Sequence, residues 1–103
     1  MAQNDINKGI GYRLKVFRKM NYLRQVDLAD LLETSQARIF GVESGKLDIP
    51  PTWLLVLAEK YHLNPMYVLG LSKTIYLTSF KGGYKLQDDI PFAPSPKRAE
   101  AVA

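Results

Sequence analysis

The chain has 103 residues, 47% of them hydrophobic, and a formal net charge of +4, which leaves room for one domain around one core and argues against a disordered chain. Cysteine is absent, so disulfides and zinc–thiolate sites are excluded. No apolar run reaches the roughly 18 residues of a membrane span, and the start "MAQNDINKG" lacks a signal peptide's apolar core, so a soluble, cytoplasmic protein is expected.

Ile6, Ile10, Leu14 and Phe17 recur at helical spacing, with Val16 and Met20 beside them. They predict a first helix over 6–20, capped by Asn4 or Asp5. "NYLR" turns the chain. Val26, Leu28, Ala29, Leu31 and Leu32 predict a second helix over 25–32. "ETS" is a very short connection, and Ser35 is a good N-cap for a third helix over 36–43 with Ile39 and Val42 inward. The breaker-rich "SGKLDIPP" follows as a loop. Thr52 is the expected cap of a fourth helix over 53–61 carrying Trp53, Leu54, Leu57 and Ala58. Pro65 fits the first turn of a fifth, over 65–70. "TIYLTSF" and "YKLQ", separated by "KGG", read as a hairpin. "PFAPSPKRAEAVA" has three prolines and little to bury, and reads as a flexible tail.

Charge is unevenly spread. Residues 1–24 hold Lys8, Arg13, Lys15, Arg18, Lys19 and Arg24 against only Asp5, whereas residues 25–70 are acidic in balance. Such a local excess fits a polyanion, although a solvated helix face produces the same pattern. The tight turn between the second and third helices makes a helix-turn-helix. Ala29, at their crossing, permits close approach, while Leu28, Leu32, Ile39 and Val42 seal the pair.

Residues 10–70 resemble the Cro/C1-type helix-turn-helix family of phage repressors and bacterial regulators. The features that carry the resemblance come in order: "IGxRLxxxR", Gln25 opening the second helix, "LAxLL", Ser35-Gln36, Ile39, Glu43, "SGK", then "LLxLAEKY" and "LG". The resemblance implies an all-α, five-helix lambda-repressor-like domain, here over 5–71; the hairpin segment then makes an extension over 72–90, a candidate dimerisation element, and the proline-rich end a tail over 91–103. It implies a sequence-specific regulator that binds double-stranded DNA, a phosphate contact at Gln25 and a structural pair between Arg18 and Glu43. Glu33 stands where the family usually has a left-handed glycine, and Asp48 where many members keep a basic or polar residue.

Projected at about 100° per residue, the third helix turns Ala37, Phe40 and Gly41 outward, with Gln36 at its exposed start and Arg38 on a flank. Gln36 can pair with adenine N6 and N7, Arg38 can reach guanine or a phosphate, and Ala37 offers a methyl to thymine. An outward Phe40 either meets a thymine methyl or is covered by the tail or a partner. Gly41 either lets the helix approach a groove wall or is a tolerated weak position. Phosphate contacts are expected from Arg24, Gln25, Ser35, Ser44 and Lys46, with Arg13 and Lys15 adding to the field.

One short helix reads few base pairs, so a homodimer is expected, joined through Tyr67 and Leu71 or by pairing of the extension across the two-fold axis. No metal, cofactor or catalytic constellation is expected: His62 is the one histidine, and "FKGGYK" lacks the phosphate-loop spacing. The competing expectation is an antitoxin-like module whose extension binds another protein.

Overall fold

The computed structural model describes residues 3–80 and 83–86. The fold is mostly helical: α1 (Gln3–Met20), α2 (Gln25–Leu31), α3 (Gln36–Glu43), α4 (Pro51–Tyr61) and α5 (Pro65–Val68), followed by strands β1 (Leu77–Phe80) and β2 (Gly83–Leu86). Residues 87–103, with the expected tail, lie outside the described residues.

Helix α1 begins earlier than expected, so Asn4 and Asp5 sit in its first turn rather than capping it. A carboxylate there complements the positive end of the helix dipole. The buried stripe is Asn7, Gly11, Leu14, Phe17 and Arg18, while Ile6 and Met20 are exposed. Gly11 lies in that stripe because α3 ends against it. An added Cβ would stand 2.1 Å from the Val42 carbonyl oxygen and 2.7 Å from that of Glu43.

Leu28 and Ala29 of α2 meet Ile39 and Val42 of α3 in the core. The turn between the two helices bends at Glu33, whose φ is 55°, and closes with a hydrogen bond from the Thr34 N–H to the Ala29 carbonyl at 2.9 Å. A left-handed backbone costs a side-chain-bearing residue about 1–2 kcal/mol. Glu33→Gly relieves that cost, partly offset by the freer unfolded chain. We expect a gain of about 0.5–1 kcal/mol in urea unfolding; a loss would mean that the Glu33 side chain stabilises the turn.

Helix α4 starts at Pro51, with Pro50 as its N-cap residue, so Thr52 lies inside it rather than capping it. Proline suits this first position because the helix leaves that N–H unused. Trp53, Leu54, Leu57 and Ala58 are buried as expected. Helix α5 is one short turn, ending before the expected residue 70 and capped by Asn64 through the Met66 N–H.

The chain after α5 rejoins the helical core. Asn64 is fully buried and donates to the Thr74 carbonyl at 2.8 Å, while its own N–H donates to the Ile75 carbonyl. Leu63 bridges Tyr76, and the Leu77 N–H donates to the His62 carbonyl at 2.7 Å. Leu77 is buried, and Tyr76 meets Phe17 edge-on at 6.4 Å, so the core takes in residues beyond 71. Strands β1 and β2 then pair antiparallel, Leu77 opposite Leu86 and Phe80 opposite Gly83, as the expected hairpin.

Candidate nucleic-acid interface

Helix α3 is held at both ends. The Ser35 side chain accepts from the Arg38 N–H at 3.2 Å, satisfying a donor the helix would otherwise leave unused. At the other end the Lys46 and Leu47 N–H groups both donate to the Gly41 carbonyl. Ile39, Val42 and Glu43 face the core, and Gln36, Ala37, Arg38 and Phe40 are exposed together.

Gly41 is the exception among the expected base-contacting residues: it is buried, so it offers no surface to a groove wall. The loop after α3 folds back and lays Leu47 across it, with the Leu47 Cδ1 2.5 Å from where a Cβ would stand. A helix projection carries no information about a loop returning over the helix. Leu47 is absent from the sequence-derived candidates, because the breakers around it give no signal of its direction.

A chain of polar contacts runs from the core to this exposed face. Arg18 and Glu43, both buried, form a two-point ion pair: Nε to Oε2 at 2.6 Å and Nη2 to Oε1 at 3.0 Å. The third guanidinium nitrogen, Nη1, donates to the Leu23 carbonyl at 2.9 Å. Gln25 Nε2 donates to Glu43 Oε1 at 3.1 Å, and Gln36 Nε2 donates to Gln25 Oε1 at 3.3 Å. The amide orientations follow from chemistry. A carboxylate only accepts, so Gln25 turns its nitrogen to Glu43 and its oxygen to Gln36. Gln36 then keeps one N–H and its carbonyl oxygen for an outside partner. Gln25, expected at phosphate, spends one N–H on Glu43 and its oxygen on Gln36, and keeps its second N–H for an anion.

The other phosphate candidates differ in availability. Arg24 is exposed but engaged by Asp27, with Nη2 to Oδ1 at 2.9 Å. The Arg24 guanidinium, then its backbone N–H, holds the Asp27 carboxyl down at about 2, below the usual 3.8. A depressed carboxyl stabilises the fold above its unfolded pKa, and that contribution is lost as pH falls from about 4 to 2. The pair is exposed, so its contribution is small and screened by salt. Thermal melts of wild type and Asp27→Asn should therefore differ at pH 7 and converge near pH 2; a constant difference would mean that the substitution changes something other than this charge.

Ser44 donates its hydroxyl to the Gly41 carbonyl at 3.1 Å. Lys46 reaches over the Phe40 ring, its ammonium 5.9 Å from the centroid, a favourable charge–ring contact. Asp48 accepts from Asn7 Nδ2 at 2.7 Å, which ties the loop to α1. Arg13 donates to the Val68 carbonyl at 3.2 Å and joins α1 to α5.

Of the expected dimer residues, Leu71 is 70% exposed, with Met66 and Leu69 also exposed nearby in the chain. Tyr67 packs on the core, and burial raises its hydroxyl pKa. No group of three or more metal-ligating side chains occurs among the described residues, nor a helix long and apolar enough to cross a membrane. Comparison with protein-family models, curated proteins and solved structures finds no match.

Proposed function

We propose that this chain is a sequence-specific double-stranded DNA-binding regulator of the Cro/C1 type, acting as a dimeric repressor that reads an inverted repeat with α3 in the major groove. The observation that carries this reading is the Gln36 amide, exposed on α3 yet anchored through Gln25 and Glu43 to buried Arg18. A pre-positioned side chain loses less freedom on binding, and the N–H and oxygen it keeps match adenine N7 and N6. Arg38, exposed in the same first turn of α3, supplies a cation for guanine or phosphate. Two copies related by a two-fold axis, their α3 helices about 34 Å apart, would read successive turns of one groove face. Exposed Leu69 and Leu71 provide apolar surface for the second copy.

Gln36→Ala combined with Arg38→Ala is expected to remove sequence preference and leave weak, salt-sensitive binding, since each good base contact is worth about 1–3 kcal/mol. Titration of a selected duplex and a scrambled one by both proteins tests this. Unchanged preference in the double variant would remove α3 as the reader.

A further inference from the structure

The outward face of α3 is finished by a residue that α3 does not contain. Ala37 and Gly41 lie four residues apart, on the side opposite Ile39 and Val42. Gly41 has no side chain, and Leu47 occupies the space where one would project. Leu47 is 44% exposed and Phe40 is 53% exposed. Ala37, Phe40 and Leu47 thus complete an apolar strip immediately beyond Gln36. Lys46 steadies the Phe40 ring from one side, and Arg38 is exposed on the helix flank. Placed on the same face as Gln36, these side chains give α3 an apolar contact surface beside its polar reader. Lys46 and Arg38 favour an anionic partner with apolar points on it, while the Asp48 carboxylate beside Leu47 is held by Asn7. In the major groove the only such point on a base edge is the thymine C5-methyl.

We infer that Leu47 and Phe40 together read the C5-methyl groups of thymines next to the base pair that Gln36 contacts. The inference rests on the reading of α3 as a DNA-reading helix and makes Leu47, from the loop after α3, a specificity-determining residue. Gly41 is glycine so that Leu47 can lie there.

The test uses the full chain and the tightest duplex selected from a random pool, with deoxyuridine replacing thymidine one position at a time. Uracil keeps every hydrogen-bonding group and lacks only the methyl. Wild type is expected to lose about threefold to fivefold in affinity at one or two positions, the effect of exposing one buried methyl. Leu47→Ala and Phe40→Ala are both off the core and should fold; at least one should bind thymine and uracil duplexes equally at those positions. Equal binding of all the duplexes by wild type would overturn the methyl inference while leaving base reading by Gln36 standing. Sensitivity retained in both variants would overturn it by placing the methyl contact elsewhere. Recovery of no enriched duplex would overturn the DNA reading itself, and an apolar protein surface would become the occupant of the strip.

Discussion

Gly11→Ala is expected to cost about 3 kcal/mol or more of folding stability, the upper end of what overpacking a tight contact does. A helix normally gains about 1 kcal/mol from this substitution, so the expected sign is reversed. The reason is where α1 meets the end of α3. A methyl at residue 11 would stand 2.1 Å from the Val42 oxygen and 2.7 Å from the Glu43 oxygen. Both are backbone atoms, so no rotamer change relieves the clash and the helices must separate. Gly9→Ala is the control. The atoms nearest its methyl would be those of the Arg13 guanidinium, at 3.4 Å and beyond, and a gain of about 0.5–1 kcal/mol is expected. Urea unfolding of the two variants against wild type measures both; a Gly11→Ala protein as stable as wild type would contradict the close approach. Separation at Gly11 would also shift Glu43 and, through it, Gln25 and Gln36.

Glu43→Ala is expected to cost about 3–5 kcal/mol, because it leaves the Arg18 charge buried with the Leu23 carbonyl as its one remaining partner among the described residues. The pair as a whole is less important to stability than either half. Replacing both, as Arg18→Met with Glu43→Leu, removes the uncompensated charge and is expected to return stability to within about 1 kcal/mol of wild type. Function should not return with it. Without the Glu43 carboxylate, Gln25 Nε2 loses its acceptor, and Gln36 loses the fixed amide that held it. The double variant should fold, bind duplex DNA and discriminate poorly between sequences. Denaturation and binding titrations on the same preparations separate the two effects. A double variant that keeps full sequence preference would show that the polar chain does not orient Gln36.

The bounds of α3 are legible in the sequence because their signals are local: a short "ETS" connection, a capping serine and inward Ile39 and Val42. The Arg18–Glu43 pair is legible only through the family resemblance, since nothing in the spacing joins residues 25 apart. The start of α4 escapes a reading of "PP" as a breaker, although proline suits a first turn. Tertiary approaches are not legible. Gly11 looks like any helix glycine until α3 ends against it, and Gly41 projects outward until Leu47 folds over it. Counting cations treats Arg24 and Arg13 as free charge, whereas Asp27 and the Val68 carbonyl engage them. Glu33 shows the reverse case: the backbone turns left-handed there, at φ 55°, although the residue is not glycine.

The most direct measurement is selection of binding sites for the purified full chain from a random duplex DNA pool at physiological salt. The expected result is an enriched inverted repeat, its half-sites about one helical turn apart, whose enrichment disappears with Gln36→Ala and Arg38→Ala. Recovery of no motif, with only weak binding that fades as salt rises, would contradict a sequence-reading α3.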